Sequence, residues 1–302
     1  GFPMCSASKE GLDLAIEFRK KHTLGNDPIA DIAGFMQLVN ADFMILDLPA
    51  NVDALALRDP VTGATVIGIA KSSVPYRQRF TVAHEIGHFV SNDFESSKIV
   101  ADDEHSEPGI YACGKRDYQE VRADAFARNV LCPTDGLKTD QNLGELIGGG
   151  DVLAALSHVV RKYQISPRVA LIQMRRADLI SEGQSEELKG VSAPTLAARY
   201  GWKADYDRAV KVSELVQPSA RLVKDVYRAY EQGIVDLPSI AFAEMSSVDE
   251  VKELISASQS QLPPLRHDAN VQNQDAADTE ADPFAELDAF FGDGPDSSES
   301  AQ

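Results

Sequence analysis

The most constraining feature of this sequence is the short motif His84-Glu85-x-x-His88, which lies inside an apolar segment. Histidines four residues apart lie one above the other on an α-helix, about 5–6 Å apart, so both imidazoles can bind one metal ion. The carboxylate of Glu85 then lies beside the ion, where it can take a proton from a water molecule. The motif predicts a zinc site on a helix over residues 77–90. The alternative is a core helix that holds two histidines without a metal.

A catalytic zinc site uses three protein ligands and leaves one position for water, so the motif needs a third ligand. Glu120 and Asp124 share one face of a helix predicted over residues 118–131, whose alanines allow close approach to the histidine helix. We expect Glu120 to bind zinc and Asp124 to accept a hydrogen bond from a ligand histidine. The alternative is that both carboxylates lie on a solvated helix face.

The composition excludes several classes of protein. With 43% hydrophobic and 25% charged residues, the 302-residue chain is neither a fully disordered protein, nor a coiled coil, nor a collagen. No apolar run approaches the roughly 20 residues of a transmembrane helix and no secretory signal is visible, so we expect a cytoplasmic protein without a membrane partner. Half of the net charge of −18 lies in residues 261–302, which contain ten acidic residues and one arginine. We expect this acidic tail to be disordered.

The order of the predicted elements indicates an α+β fold. Residues 1–147 combine helices with a small β-sheet, and residues 148–260 have a purely helical pattern. The elements predicted in the first region are helices over 12–21, 29–38, 77–90 and 118–131 and strands over 43–48, 54–58 and 65–70, the last two forming a hairpin. In the second region, helices over 152–163 and 167–177 flank a short turn, which is the layout of a helix-turn-helix.

Basic residues cluster around this helix pair. They are Arg161, Lys162, Arg168, Arg175 and Arg176, with no acidic residue between them. One interpretation is phosphate contact, with residues 167–176 as a recognition helix and with an operator or an activator such as single-stranded DNA as the nucleic acid. The alternative is a solvated face on helices whose apolar residues build a second core.

The two blocks around the metal-site candidates resemble a known family. The patterns R-x-R-F-T-x-A-H-E-[IL]-G-H and E-x-x-A-[DN]-x-F-A-x-x-[LV]-L-x-P are similar to those of the ImmA/IrrE family of bacterial zinc metallopeptidases. The matching positions are Arg77, Arg79, Phe80, Thr81, His84, Glu85, His88, Glu120, Ala123, Asp124, Phe126, Ala127, Leu131 and Pro133. The resemblance implies a minimal zincin-like domain followed by helix-turn-helix-like helices, and it supports Glu120 as the third zinc ligand. It does not cover the acidic tail.

The resemblance also implies a function. Members of this family typically cut a partner repressor of the XRE helix-turn-helix type. We therefore expect an endopeptidase with one Zn²⁺ per chain and Glu85 as catalytic base, which derepresses genes of stress or DNA-damage responses, mobile elements or anti-phage defence. The alternative is a non-proteolytic antirepressor or DNA-binding regulator with a structural metal. Glu85 discriminates the two, because a structural site closes with four protein ligands and needs no adjacent base.

The loop between the two blocks departs from the family by its length, and it contains Cys113-Gly114-x-x-Asp117. This segment is similar to the cysteine switch of matrix metalloproteinase propeptides, in which a thiolate takes the position of the water on zinc. Because zinc deprotonates and binds a thiol well, we predict Cys113 as an inhibitory fourth ligand. The alternative is a free cysteine that packs as a small hydrophobic residue.

Overall fold

The computed structural model describes the chain from Met4 to Gln259, with gaps. The described residues are 4–29, 35–36, 38–39, 41–50, 52–58, 65–93 and 118–259, with the backbone alone for residues 57, 58 and 259. Three features singled out in the sequence lie outside them. These are the loop with Cys113, the acidic tail over 261–302, and most of the helix predicted over 29–38.

A small sheet follows the first helix. Its strands are β1 (Asp42–Leu46), β2 (Ala54–Arg58) and β3 (Thr65–Ala70), in the order β1-β3-β2. β2 and β3 are antiparallel, with Ala54 opposite Ile69, as the hairpin prediction requires, and β1 runs parallel to β3. The central strand is the most buried, since Ile67 and Ile69 are 0% and 1% exposed.

The other regular elements of the described residues are α-helices. They are α1 (Ser6–Lys21), α2 (Pro75–Val90), α3 (Tyr118–Leu131), α4 (Thr134–Lys138), α5 (Gln141–Gly148), α6 (Val152–Tyr163), α7 (Pro167–Arg176), α8 (Glu182–Leu188), α9 (Ala193–Arg199), α10 (Lys203–Ser213), α11 (Ala220–Glu231), α12 (Leu237–Glu244) and α13 (Val248–Gln259). Together with the sheet they confirm the predicted α+β class. Within the described ranges, no helix has both the length and the apolar character needed to cross a bilayer.

Two glycines allow α1 and α2 to lie very close to α3. A Cβ atom at Gly11 of α1 would lie 2.3 Å from the carbonyl oxygen of Arg122, so the two backbones are in contact there. A Cβ atom at Gly87 of α2 would lie 3.2 Å from the Cα atom of Ala123. Because only glycine permits such approach, these positions fix the distance between the helix that carries the histidines and the helix that carries Glu120.

One apolar core joins the sheet and α1–α3 to the helices that follow. Its buried members include Phe126 from α3, Leu156 and Tyr163 from α6, and Trp202 from the segment before α10. Arg79 reinforces this packing, because its Nε donates a hydrogen bond of 3.2 Å to the carbonyl oxygen of Gln164 between α6 and α7. The helical region is therefore packed directly against the metal-site helices.

The last three helices surround a small core of their own. Ile240, Ala241 and Val251 are its buried members. α12 is separated from α13 by a turn, since α12 is followed by a left-handed Met245 with φ of 53° and α13 begins at Val248. Ile45 of β1 exchanges backbone hydrogen bonds of 2.8 and 3.0 Å with Gln217, which connects the segment before α11 to the edge of the sheet.

Candidate metal centre

α2 holds the two histidines rigidly because one side of the helix is anchored in the core. Proline at the first helical position is compatible with the missing backbone hydrogen bond there, and the helix accordingly begins at Pro75. Ala83 and Ile86 are both 0% exposed. The residues of the motif are also buried, with exposed fractions of 3% for His84 and 5% for His88.

The two imidazoles and Glu120 converge on one point. The Nε2 atoms of His84 and His88 lie 3.0 Å apart. The two carboxylate oxygens of Glu120, on α3, lie 3.2 Å from these nitrogens, Oε2 beside His84 and Oε1 beside His88. Two nitrogens and one oxygen from neighbouring helices thus form a group whose spacing allows one metal ion to be bound.

The hydrogen bonds of the two Nδ1 atoms decide which nitrogen of each imidazole faces that point. Nδ1 of His84 donates to Asp124 at 2.9 Å, and Nδ1 of His88 donates to Asp93 at 2.8 Å. Because a carboxylate accepts a hydrogen bond from each Nδ1 atom, the proton of the neutral imidazole stays on Nδ1. Each Nε2 atom then directs an electron pair towards the shared point. Asp124 thus accepts a hydrogen bond from His84, as predicted from the sequence.

This donor set fits a zinc ion. Oε2 of Glu120 is buried and, although it is close to His84, has no hydrogen-bond partner among the described residues. When both imidazoles are neutral, as metal binding requires, their inward electron pairs beside a carboxylate repel one another unless a cation lies between them. Two neutral imidazoles and one carboxylate are a common catalytic zinc set. The orphaned oxygen therefore supports the predicted ligands His84, His88 and Glu120.

The pKa values of the metal-free site show how strongly these groups interact. Burial alone lowers the pKa of His84 and His88, but hydrogen bonds to carboxylates outweigh it. The pKa of His84 is raised well above its usual value, and that of His88 is raised to about 9. Burial raises the pKa of Glu120, and the two histidines reverse this and hold it far below its usual range. The site thus retains a carboxylate in every accessible state.

Glu85 lies inside the same centre. Its side chain is 5% exposed, and its negative charge raises the pKa of both histidines. This buried carboxylate, which acts on both histidines and is not part of the ligand group, agrees with the base predicted from the sequence, and its role in catalysis stays a prediction.

The structure adds a set of supporting residues that the sequence analysis missed. Arg122 on α3 pairs with Asp93 and, at 3.1 Å, with Glu10 on α1. Tyr118 also donates to Glu10, at 2.6 Å. The chain from His88 through Asp93 and Arg122 to Glu10 therefore connects the metal site to the N-terminal helix. The one local signal for it is Asn92, whose left-handed backbone with φ of 57° turns the chain back towards His88.

The basic cluster is not a continuous cationic surface. Arg161 pairs with Asp205 at 2.9 Å and Lys162 with Asp140 at 2.7 Å. Arg175 is buried, with Glu182 3.6 Å away, whereas Arg168 is exposed. These ion pairs favour the alternative interpretation, in which the cluster belongs to the packed helices.

The burial of α7 also indicates that this helix belongs to the packed core. The helices predicted over 152–163 and 167–177 are present, with a left-handed Gln164 between them. A recognition helix exposes the residues that read the bases. In α7, eight of ten residues are buried, and Gln173 donates to Cys132 and Asn129 of the metal domain. The structure thus favours a helix of the core over the recognition helix considered from the sequence, and contact of Arg168 and Arg176 with nucleic acid stays a prediction.

Comparison with known families agrees with the geometry. The sequence model of the IrrE N-terminal-like domain, the peptidase family M78, matches residues 40–145. No curated protein matches the chain. The matched range contains the sheet, both histidines, Glu85 and Glu120, which confirms the resemblance found in the sequence. Residues 40–145 thus match the IrrE N-terminal-like domain of the peptidase family M78, and the match includes the candidate metal centre.

Proposed function

We propose that this protein is a zinc-dependent endopeptidase that cleaves a helix-turn-helix transcriptional repressor of the XRE type. The observation that carries the proposal is the convergence of His84, His88 and Glu120 around one point, with the carboxylate of Glu85 buried beside them. The match to the peptidase family M78 supports peptide hydrolysis as the reaction.

The residues of the site have distinct parts in this reaction. Zinc held by His84, His88 and Glu120 supplies Lewis acidity for an attacking water and for the carbonyl group that it attacks. Glu85 takes a proton from the water and gives it to the leaving amine, so that no charged amide nitrogen has to depart. Asp124 and Asp93 keep the imidazoles oriented through their Nδ1 atoms.

The choice of substrate and the biological role rest on the family. Cleavage of a repressor would release the genes it silences, and the family resemblance supports stress or DNA-damage responses, mobile elements and anti-phage defence as the settings. A cytoplasmic location agrees with such a substrate. Single-stranded DNA is the activator that would engage the exposed Arg168.

One substitution tests the peptidase proposal against a structural metal site. Glu85→Gln removes the base and keeps the shape of the side chain, so it should retain one zinc per chain and the wild-type melting temperature. Cleavage of a repressor encoded beside this gene should fall by at least about 100-fold, the usual contribution of a general base. Glu17→Gln, an exposed position on α1, is the matched control and should cut normally. A Glu85→Gln protein that still cuts would show that the mechanism is wrong.

A further inference from the structure

An arginine close to the metal centre has no hydrogen-bond or ion-pair partner among the residues that the structure describes. Arg128 lies on α3 one turn after Asp124, and its side chain is buried, with 4% exposed. In the described part of the chain its guanidinium makes no hydrogen bond and no ion pair, and its Nε atom is completely shielded from solvent. A buried charge without a partner strongly disfavours the folded state, so such a residue calls for an anion.

Arg19 shows how this protein satisfies a buried arginine that serves the fold alone. It is equally shielded, with 5% exposed. Its guanidinium donates to the carbonyl oxygens of Val130, Gly25 and Asp27 at distances between 2.6 and 3.0 Å. Three carbonyl oxygens thus accept four hydrogen bonds from Arg19, and no carbonyl oxygen of the described residues does the same for Arg128.

The surroundings of Arg128 are positively charged. Burial lowers its pKa, and the nearby charge of Arg176 lowers it further, to about 10, so that the side chain stays charged at neutral pH. The one carboxylate that acts on it, Asp124, already accepts the hydrogen bond from His84. The charge of Arg176 thus repels Arg128, and the carboxylate that acts on Arg128 is already used by the metal centre.

We propose that Arg128 binds a carboxylate of the peptide substrate beside the metal centre. The proposal rests on the peptidase function and specifies its substrate class, namely peptides with an acidic side chain or a chain end near the cleaved bond. A guanidinium can hold a carboxylate with two parallel hydrogen bonds. The burial of Arg128 favours the compact carboxylate of a peptide over the phosphodiester backbone of a nucleic acid.

The spacing along α3 indicates where that carboxylate lies. Arg128 follows Glu120 by eight residues, which is about 12 Å along a helix. An extended peptide covers about 3.3–3.6 Å per residue. The substrate carboxylate should therefore belong to a residue about three or four positions from the cleaved bond.

Binding can be measured without cleavage. N-acetylglutamate is the probe, and the melting temperature of the zinc-loaded Glu85→Gln protein is the measurement, because a ligand that binds only the folded state raises it. We expect a saturable increase with N-acetylglutamate and none with N-acetylglutamine α-amide, which carries no carboxylate. Arg128→Met, introduced into the Glu85→Gln protein, should abolish this increase in melting temperature. It should not lower the melting temperature of the protein without ligand, because it removes an unpaired charge. Arg208→Met, at an exposed arginine, should leave the increase unchanged.

Three results would overturn the proposal. They are an equal response in Arg128→Met, an equal response to N-acetylglutamine α-amide, and no response in the protein with Arg128 intact. Should Arg128→Met fail to fold, Arg128→Lys decides, because it keeps the charge and loses the paired hydrogen bonds. It should bind the probe about 10-fold more weakly, and unchanged binding overturns the proposal.

Cleavage identifies the source of the carboxylate. Proteome-derived peptides with free or amidated C-termini are incubated with the active enzyme and with its Arg128→Met variant. An acidic residue should be enriched three or four positions from the cut, or the free C-terminus should be required there, and the variant should lose that preference. Identical cleavage profiles overturn the proposal and leave the peptidase function intact. If neither protein cuts any peptide or repressor, the peptidase function fails, and the binding experiment still decides the role of Arg128.

Discussion

Asp93 accepts a hydrogen bond of 2.8 Å from Nδ1 of His88, although it lies beyond the C-terminal end of the helix that carries this histidine. The contact is the counterpart of the one between Asp124 and His84. Both metal-facing imidazoles are thus oriented by a carboxylate, one from the neighbouring helix and one from the turn after α2.

This pairing predicts that Asp93 contributes to metal affinity. Asp93→Asn removes the negative charge that orients His88 and raises its basicity, so we expect zinc affinity to fall about 10- to 100-fold. Competition with a chelator of known affinity measures the change. Asp124→Asn should have a similar effect through His84, and Asp53→Asn, which affects only the ion pair with Arg77, should have none. Equal zinc affinity in Asp93→Asn and wild type would contradict the prediction.

The contact between α1 and α3 predicts a sensitive glycine. Gly11→Ala would place a Cβ atom 2.3 Å from the carbonyl oxygen of Arg122, so the two helices must separate. We expect the free energy of unfolding to fall by about 1–3 kcal/mol, and zinc affinity to fall with it, because Glu120 and Arg122 lie on the displaced helix. Urea denaturation and chelator competition measure the two effects.

Gly144→Ala is the matched control for that substitution. It also lies in a helix, and nothing lies within 4 Å of the added Cβ atom. Here the better helix propensity of alanine should stabilise the protein by up to about 1 kcal/mol. Similar changes in stability at Gly11 and Gly144 would show that the close contact of α1 with α3 is absent.

The metal-free protein should lose stability as the pH rises. Burial lowers the pKa of His88, but Asp93 and Glu120 outweigh it and raise the pKa from 6.5 in the unfolded chain to about 9 in the folded one. A raised pKa means that the stabilisation is complete below pH 6.5 and is lost as the pH approaches 9. The melting temperature of chelator-treated protein should therefore fall across this range.

Zinc should reverse the slope. The histidines must be deprotonated to bind the ion, so zinc binds more tightly, and stabilises the fold more, as the pH rises from 6.5 to 9. Thermal denaturation with and without zinc at each pH compares the two. His22→Gln, at the end of α1, should leave both slopes unchanged. Parallel slopes with and without the ion would contradict the prediction.

Cys113 gives a prediction that stems from the sequence alone. If its thiolate occupies the water position on zinc, Cys113→Ala should raise the basal rate of proteolysis. Cys132→Ala is the control, because the Cys132 thiol is 0% exposed and burial raises its pKa, so it cannot ionise. Unchanged basal proteolysis in Cys113→Ala would remove the cysteine switch.

Local patterns predicted most of the long elements. The apolar repeat of α3 gave its bounds, and the helix with the histidines begins at Pro75, two residues before the predicted start. The short helices α8 and α9 were missed, because seven residues show too little periodicity. They depend on the capping side chains of Ser181 and Ser192. The run of glycines over 148–150 coincides with the end of α5 at Gly148 and the turn before α6.

The sequence by itself determined the chemistry of the centre, because ligands four residues apart share a helix face in any fold that keeps the helix. The tertiary structure decided what surrounds it. Asp93 reaches His88 through a reversal of the chain, α7 is buried by residues far away in the sequence, and Arg128 is buried without a hydrogen-bond partner among the described residues. Such relationships depend on distances between remote segments, and these are set by packing of the whole core rather than by local spacing.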